Sequence, residues 1–351
     1  MVNPRIKSLS AYKTERTSAR VKLSSNELSI EFPGDVRKRI AEVLSELPFN
    51  RYPDPQVQEL KEVVAQRFGV RTENLMLGNG SDELIYYLSV AIGDQNRGIF
   101  YPVPTFSMYG ISAQVFGRER VEIRLNSFFD IDLEESLRLV QEKKPALAYF
   151  SYPNNPTGNL FSEKSIVSIR SQGVFTVLDE AYFHYSKRTF LKDALEREDT
   201  VVLRTLSKIG MAGLRVGIMI GKEEVIKDIE KIRLPFNITY PSQVIARLML
   251  TEFYPLIEEE VERVIRERER VYSALLSMEG VEPFPSSANF ILFRTYIPAD
   301  LLHKKLIEKG VLVRNFSYME GLEGCLRVSI GKPEENDAFL EALEGVLKEM
   351  A

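Results

Sequence analysis

From about Asn74 to Gly221 the chain alternates short apolar runs with amphipathic stretches. The runs at 75–77, 98–101, 121–125, 146–151, 174–178, 201–204 and 216–220 are too short for buried helices and are bounded by turn residues, so they predict strands. Between them, apolar residues recur at helical spacing over 82–92, 106–116, 132–142 and 163–171. That order predicts an α/β fold, a doubly wound domain with a mostly parallel seven-stranded sheet between helices. After residues 233–237 comes a stretch from 242 to 277 rich in i,i+4 charge pairs and interrupted at Pro255, which reads as a connecting helix. The pattern then changes to strands at 289–294, 311–313 and 326–330 with helices at 298–309 and 333–348, a small α+β domain. The expected division is residues 1–30 as an N-terminal arm and part of the small domain, 31–240 as the large domain, and 241–351 as connecting helix and small C-terminal domain.

Composition narrows the chemistry. A chain of 351 residues that is 44% hydrophobic buries a large core and divides naturally in two. Charged residues make up 27% with both signs interspersed and a net charge of -4, so no basic field exists for nucleic acid. The lone Cys325 excludes an intramolecular disulfide and a thiolate cluster, and His184 and His303 stand too far apart to suggest a metal site. Residues 1–22 are polar and charged, and no apolar run approaches the length of a membrane span. The expectation is a soluble cytoplasmic protein with no metal and with neither nucleic acid nor membrane as a partner.

Distinctive residues follow the predicted strands: Gly78-Asn79-Gly80-Ser81, Pro102-Val103-Pro104-Thr105-Phe106, residues 152–158, Asp179-Glu180-Ala181-Tyr182 and Ser207-Lys208. Ligands of open α/β sheets bind at the carboxyl ends of strands, so these segments would converge on one crevice. Gly80, Ser81 and Asp82 open a helix, whose free N–H groups attract an anion, although an ordinary strand-to-helix turn has the same look. Ser207 and Arg215 add a hydroxyl and a guanidinium suited to a phosphate monoester. Asp179 at a buried strand end needs a cation, for which a pyridinium nitrogen qualifies; the alternative is a helix cap. Tyr182 and Asn155 are candidates for a ring oxygen, and Phe106 offers a flat face, although a phenylalanine there also suits a core. Most lysines are solvated, but Lys208 follows an apolar strand beside a hydroxyl and a glycine-rich loop, where desolvation makes an amine a nucleophile and base. A Schiff-base lysine with an acid across the crevice suggests pyridoxal 5'-phosphate.

Asn154-Asn155-Pro156-Thr157-Gly158, Asp179-Glu180-Ala181-Tyr182, Thr205-Leu206-Ser207-Lys208 and Gly213-Leu214-Arg215-Val216-Gly217, in that order, resemble the fold type I, class II aminotransferases over nearly the whole chain. Within them, Leu23-Ser24-Ser25-Asn26-Glu27, Arg51-Tyr52-Pro53-Asp54, Pro104-Thr105-Phe106-Ser107-Met108-Tyr109, residues 233–237, Val313-Arg314 and residues 326–331 are most similar to the histidinol-phosphate aminotransferases. The resemblance implies a homodimer in which Tyr52 contacts the cofactor phosphate of the other subunit. It implies that Lys208, Asp179 and Tyr182 serve catalysis, and that the cofactor is bound by Gly80, Ser81, Asp82, Phe106, Asn155, Ser207 and Arg215 as well. Arg327 would hold the glutamate carboxylate and, with Arg314 and Tyr12, the phosphate of histidinol phosphate, the reaction exchanging an amino group with 2-oxoglutarate in histidine biosynthesis. This chain has Phe106 where tyrosine is usual, and Asn26-Glu27-Leu28-Ser29 where Asn-Glu-Asn-Pro is usual. An aromatic amino acid aminotransferase and a threonine-phosphate decarboxylase share the cofactor residues and remain alternatives. A non-enzymatic binding protein would leave Lys208 idle.

Overall fold

The computed structural model describes residues 2–9 and 17–350. After β1 (Val21–Lys22), the alternating region supplies β2 (Leu75–Asn79), β3 (Ile99–Val103), β4 (Arg120–Arg124), β5 (Leu147–Ser151), β6 (Phe175–Asp179), β7 (Thr200–Thr205) and β8 (Val216–Ile220). All but β1 form one seven-stranded sheet in the order β2-β8-β7-β6-β5-β3-β4. Its pairings are parallel except those of β8, which runs against both β2 and β7. The carboxyl ends of β2, β3, β5, β6 and β7 therefore share one sheet edge with the beginning of β8.

The central strands show no polar alternation because both of their faces are covered. In β5, Ala148 and Phe150 join one apolar cluster while Leu147 and Tyr149 join the cluster on the opposite face. The edge strand β4 does alternate, with Val121 and Ile123 buried between exposed Arg120, Glu122 and Arg124. Charge on an edge also discourages pairing with a stray strand. Helices Gly34–Ser45 and Gln58–Phe68 lead into the alternating region, and Leu60 and Val64 of the second enter the same core as Leu75.

Element boundaries matter where they aim side chains. The helix expected over 106–116 begins at Met108, which leaves Phe106 in the turn ahead of it. The stretch expected as one interrupted helix is two, Tyr240–Thr251 and Tyr254–Ser277. Pro255 lies in the first turn of the second, where a missing N–H costs no helical hydrogen bond.

The remaining strands are β9 (Val281–Pro283), β10 (Phe290–Thr295), β11 (Val311–Leu312), β12 (Arg314–Asn315) and β13 (Cys325–Ser329). An antiparallel sheet runs β12-β13-β10-β9, and β11 pairs in parallel with β1. The strand expected at 311–313 thus divides at Val313, where the chain leaves β1 and takes β13 as its neighbour. Leu23 N–H donates to the Leu312 carbonyl and the Leu23 carbonyl accepts from Ser329 N–H, which fastens the N-terminal segment to this smaller sheet. No described helix is long and apolar enough to cross a membrane.

Candidate active site

At the shared edge of the large sheet lies a cavity of about 410 Å³ lined by Ser81, Asp82, Phe106, Asn155, Asp179, Tyr182, Ser207, Lys208, Arg215, Arg314 and Arg327. Residues from the large sheet meet β12 and β13 there. A larger cavity of about 1150 Å³ shares Phe106, Arg314 and Tyr318 with it but contains neither Lys208 nor Asp179, so the reactive groups belong to the smaller one.

One end of the cavity is built for an anion. The helix Ser81–Ala91 starts there, and Gly80, its cap, has φ +78. A Cβ on Gly80 would stand 2.4 Å from the Arg215 guanidinium, and one on Gly217 would stand 2.4 Å from the Gly80 carbonyl carbon. Glycine at both positions lets the ends of β2 and β8 touch and brings Arg215 over the helix start. Arg215 donates from Nη1 to Ser207 Oγ at 3.4 Å and from Nη2 to Asp82 at 3.1 Å. Ser207 in turn accepts from Thr205 Oγ1 at 2.9 Å. Backbone N–H groups, a hydroxyl and a guanidinium in this arrangement suit a phosphate.

Asp179 lines the cavity at the end of β6, next to Ser151 and Leu203 in register. Its Oδ2 accepts from Tyr109 Oη at 2.8 Å and its Oδ1 from Ala181 N–H at 3.2 Å; the residue is not a helix cap, because the helix that follows, Phe183–Ser186, is capped at Tyr182. Burial pushes its carboxyl up to about 6, against the pull of the Tyr109 hydrogen bond, the Ala181 amide and the Lys208 charge. A carboxylate so desolvated favours a cationic partner. Lys208 sits in a short turn after β7, its carbonyl accepting from Tyr185 Oη and its Nζ 5.9 Å from the centre of the Tyr182 ring. Phe106, half-buried, meets Tyr109 edge-on at 5.7 Å.

Asn154 and Asn155 divide their work. Asn154 is wholly buried and is used up by Thr105, the Pro104 carbonyl and Thr157, whereas Asn155 faces the crevice and accepts from Arg327 Nη1. Arg327 also donates to the Ser24 carbonyl at 3.0 Å and lies over the Phe290 and Phe316 rings. Arg314 and Arg327 are register partners across β12 and β13. Tyr52 stands outside the cavity of its own chain, 79% exposed and stacked on Phe236 at 4.5 Å. Tyr12 lies outside the described residues.

Two residues of the site carry no role in the sequence reading: Tyr109, which holds Asp179, and Asn26, whose Nδ2 donates to Tyr182 Oη at 2.9 Å. Both lie inside segments that carried the resemblance. Nothing in spacing alone pairs either with a residue 70 or 156 positions away.

Residues 19–343 match the family described as aminotransferase class I and II. The chain is 60% identical over 351 residues to the histidinol-phosphate aminotransferase of Aquifex aeolicus, covering 100% of this chain and 99% of that protein. It is 43% identical over 350 residues to the enzyme of that name from Hydrogenobaculum sp., again covering 100% and 99%. Its fold is similar, with TM-score 0.88 and 21% identity over 100% of this chain and 98% of the other, to histidinol-phosphate aminotransferase from Sinorhizobium meliloti in complex with pyridoxal-5'-phosphate.

Proposed function

The chain belongs to the class I and II aminotransferase family, and from that premise we propose that it exchanges an amino group between histidinol phosphate and 2-oxoglutarate, with pyridoxal phosphate held in the crevice. Bound there, the cofactor supplies an aldehyde that condenses with amines and a ring that draws electrons from the adjoining carbon. The residues fit it: the glycine-lined cradle beside Arg215 suits its phosphate and the desolvated Asp179 carboxyl suits its ring nitrogen.

On this reading Gly80, Ser81, Asp82, Ser207 and Arg215 bind the phosphate, and Tyr52 of a second copy of the chain completes that shell, making the enzyme a homodimer. Asn155 and Tyr182 take the ring oxygen, and Phe106 covers the ring face. Lys208 would anchor the group and, once displaced by the substrate amine, its Nζ would take the proton from the substrate carbon that bears the amine and deliver it to the cofactor carbon joined to that amine. Tyr109 and the Ala181 amide keep the Asp179 carboxylate aimed at the ring nitrogen. On the same reading, residues 31–240 make up the cofactor domain, residues 1–30 an N-terminal arm and part of the small domain, and residues 241–351 the connecting helix and small C-terminal domain. The setting is the cytoplasm and the pathway histidine biosynthesis.

The observation that carries the substrate is the register pairing of Arg314 with Arg327 at the cavity wall. Two guanidiniums on neighbouring strands give a phosphate dianion more donors than a carboxylate needs. One anion site thereby serves glutamate through Arg327 and the phosphorylated substrate through both arginines, with Tyr12 as a further contact. Single-turnover reactions of the cofactor-loaded protein with histidinol phosphate, glutamate, phenylalanine, tyrosine and threonine phosphate test this, alongside borohydride reduction and peptide mapping. Expected are fast turnover of histidinol phosphate and glutamate and a reduced adduct on Lys208. Faster reaction of the aromatic amino acids, decarboxylation of threonine phosphate, or an adduct on another lysine would overturn the reading.

A further inference from the structure

Asn26 is 1% exposed and takes a left-handed backbone conformation, φ +55, which asparagine tolerates better than most residues. Every polar group it owns is engaged. Its N–H donates to Ser329 Oγ at 2.8 Å, Ser329 Oγ donates back to Asn26 Oδ1 at 2.9 Å, and its carbonyl accepts from Asn289 Nδ2 at 3.0 Å. The remaining donor, Nδ2, points at Tyr182 Oη.

Ser329 Oγ accepts from the Asn26 N–H and gives its own proton to Asn26 Oδ1, a reciprocal pair that uses the hydroxyl as donor and acceptor at once. Turning the amide round would remove the acceptor for that proton. Nδ2 is therefore the atom that meets Tyr182. A phenol that receives a hydrogen bond from an amide has its own proton left to give, and Tyr182 lines the cavity that holds Lys208 and Asp179. Ser329 lies on β13, two positions beyond Arg327.

We propose that Asn26 is a positioning residue that directs the Tyr182 hydroxyl proton into the crevice and ties it to β13, the strand that carries Arg327. The proposal rests on the reading that pyridoxal phosphate occupies the crevice with its ring oxygen toward Tyr182. A donor on that oxygen draws charge from the ring and makes the neighbouring nitrogen of the Lys208 linkage a weaker base. Turning the donor away makes that nitrogen a stronger base. The other ionisable groups facing Tyr182 are Asp179, Arg327, Lys208 and Tyr185, and of the variants below only Asn26→Asp adds a charge to them.

The test is a spectrophotometric pH titration of the cofactor-loaded protein in wild type, Asn26→Asp, Asn26→Gly and Ser329→Ala, with the two Asn26 variants repeated in a Tyr182→Phe background. Aspartate keeps the acceptor for Ser329 and tolerates the left-handed backbone, but offers Tyr182 an acceptor in place of a donor, pulling the phenolic proton out of the crevice. Expected is a rise of the midpoint by roughly half to one pH unit in Asn26→Asp, smaller rises in Asn26→Gly and Ser329→Ala, and, once Tyr182 is phenylalanine, no effect of the uncharged Asn26→Gly change and only the part of the Asn26→Asp rise that its added carboxylate causes by charge. Unchanged midpoints, or an Asn26→Gly shift that persists without the Tyr182 hydroxyl, would overturn the proposal. Denaturant unfolding of the cofactor-free protein supplies an arm independent of the cofactor. Asn26→Gly and Tyr182→Phe should be non-additive there, and additivity would sink the pairing whether or not the wild type takes up cofactor.

Discussion

Asp179 and Glu180 are consecutive and both buried, yet the fold treats them oppositely. Glu180 is saturated: Arg204 reaches it from Nε at 3.1 Å and Nη2 at 2.9 Å, Thr189 Oγ1 donates at 2.8 Å and Phe190 N–H at 2.7 Å. The Arg204 guanidinium is itself held over the Phe183 ring at 3.6 Å and the Phe68 ring at 4.5 Å. Asp179 has two donors, Tyr109 and the Ala181 amide, and a crevice in front of it. Burial pushes both carboxyls up, but Glu180 has a full complement of fixed partners inside the protein, while Asp179 has been left short of charge. A buried acid whose partners are all protein serves the fold. One whose partners are incomplete at a cavity wall is poised for a ligand.

The contrast breaks first through stability. Glu180→Gln leaves Arg204 buried without its counter-charge, and removing one member of a buried pair costs about 3–5 kcal/mol. Denaturant unfolding should show that loss, while turnover per folded molecule falls far less than in an Asp179 variant. Wild-type stability in Glu180→Gln would show that the pair is not structural.

Asp179→Asn should reverse the pattern, keeping the fold and bound cofactor while transamination drops on the order of 100-fold or more, since a neutral amide no longer supports a protonated ring nitrogen. Near-native turnover would remove Asp179 from the role given to it.

The pH dependence of the cofactor-free protein sharpens the same point. Burial raises the Asp179 carboxyl from its ordinary 3.8 to about 6, so the folded chain keeps its proton longer than the unfolded one. Its contribution is complete below about 3.8 and is lost as pH rises through about 6. That amounts to roughly 2–3 kcal/mol across the window, missing in Asp179→Asn. His184, which burial depresses to about 3, works the other way, its contribution present above 6.5 and lost as pH falls. It is common to both proteins, so the difference between their stability curves isolates Asp179. Parallel curves would show that Asp179 is not the source.

Two arginines repeat the contrast on a smaller scale. Arg327 is buried and held by Asn155 and the Ser24 carbonyl, while Arg314 is half-buried at the same wall. Arg327→Ala should weaken both half-reactions, and Arg314→Ala the phosphorylated substrate more than glutamate, by roughly 1.5–3 kcal/mol for a lost charge-assisted bond. Equal losses on both substrates in Arg314→Ala would remove the distinction.

Local pattern determined much of this protein by itself. A strand covered on both faces must be apolar throughout, so the runs ending in Ser151, Asp179 and Thr205 could be located from side-chain type, and chemistry-bearing residues placed just beyond them. The same logic marked Lys208, Ser207, Asn155 and Arg215 for one crevice. What it could not supply was partnership. That Glu180 belongs to Arg204, Asp179 to Tyr109, Asn26 to Tyr182 and Arg314 to Arg327 depends on which strands lie side by side, on β8 running against its neighbours, and on the chain changing partner at Val313. Periodicity records whether a residue is buried, because burial follows from its own chemistry. The atom that meets it there is chosen by segments distant in the chain, and only the packed tertiary structure decides whether a buried carboxyl is satisfied or left waiting for a ligand.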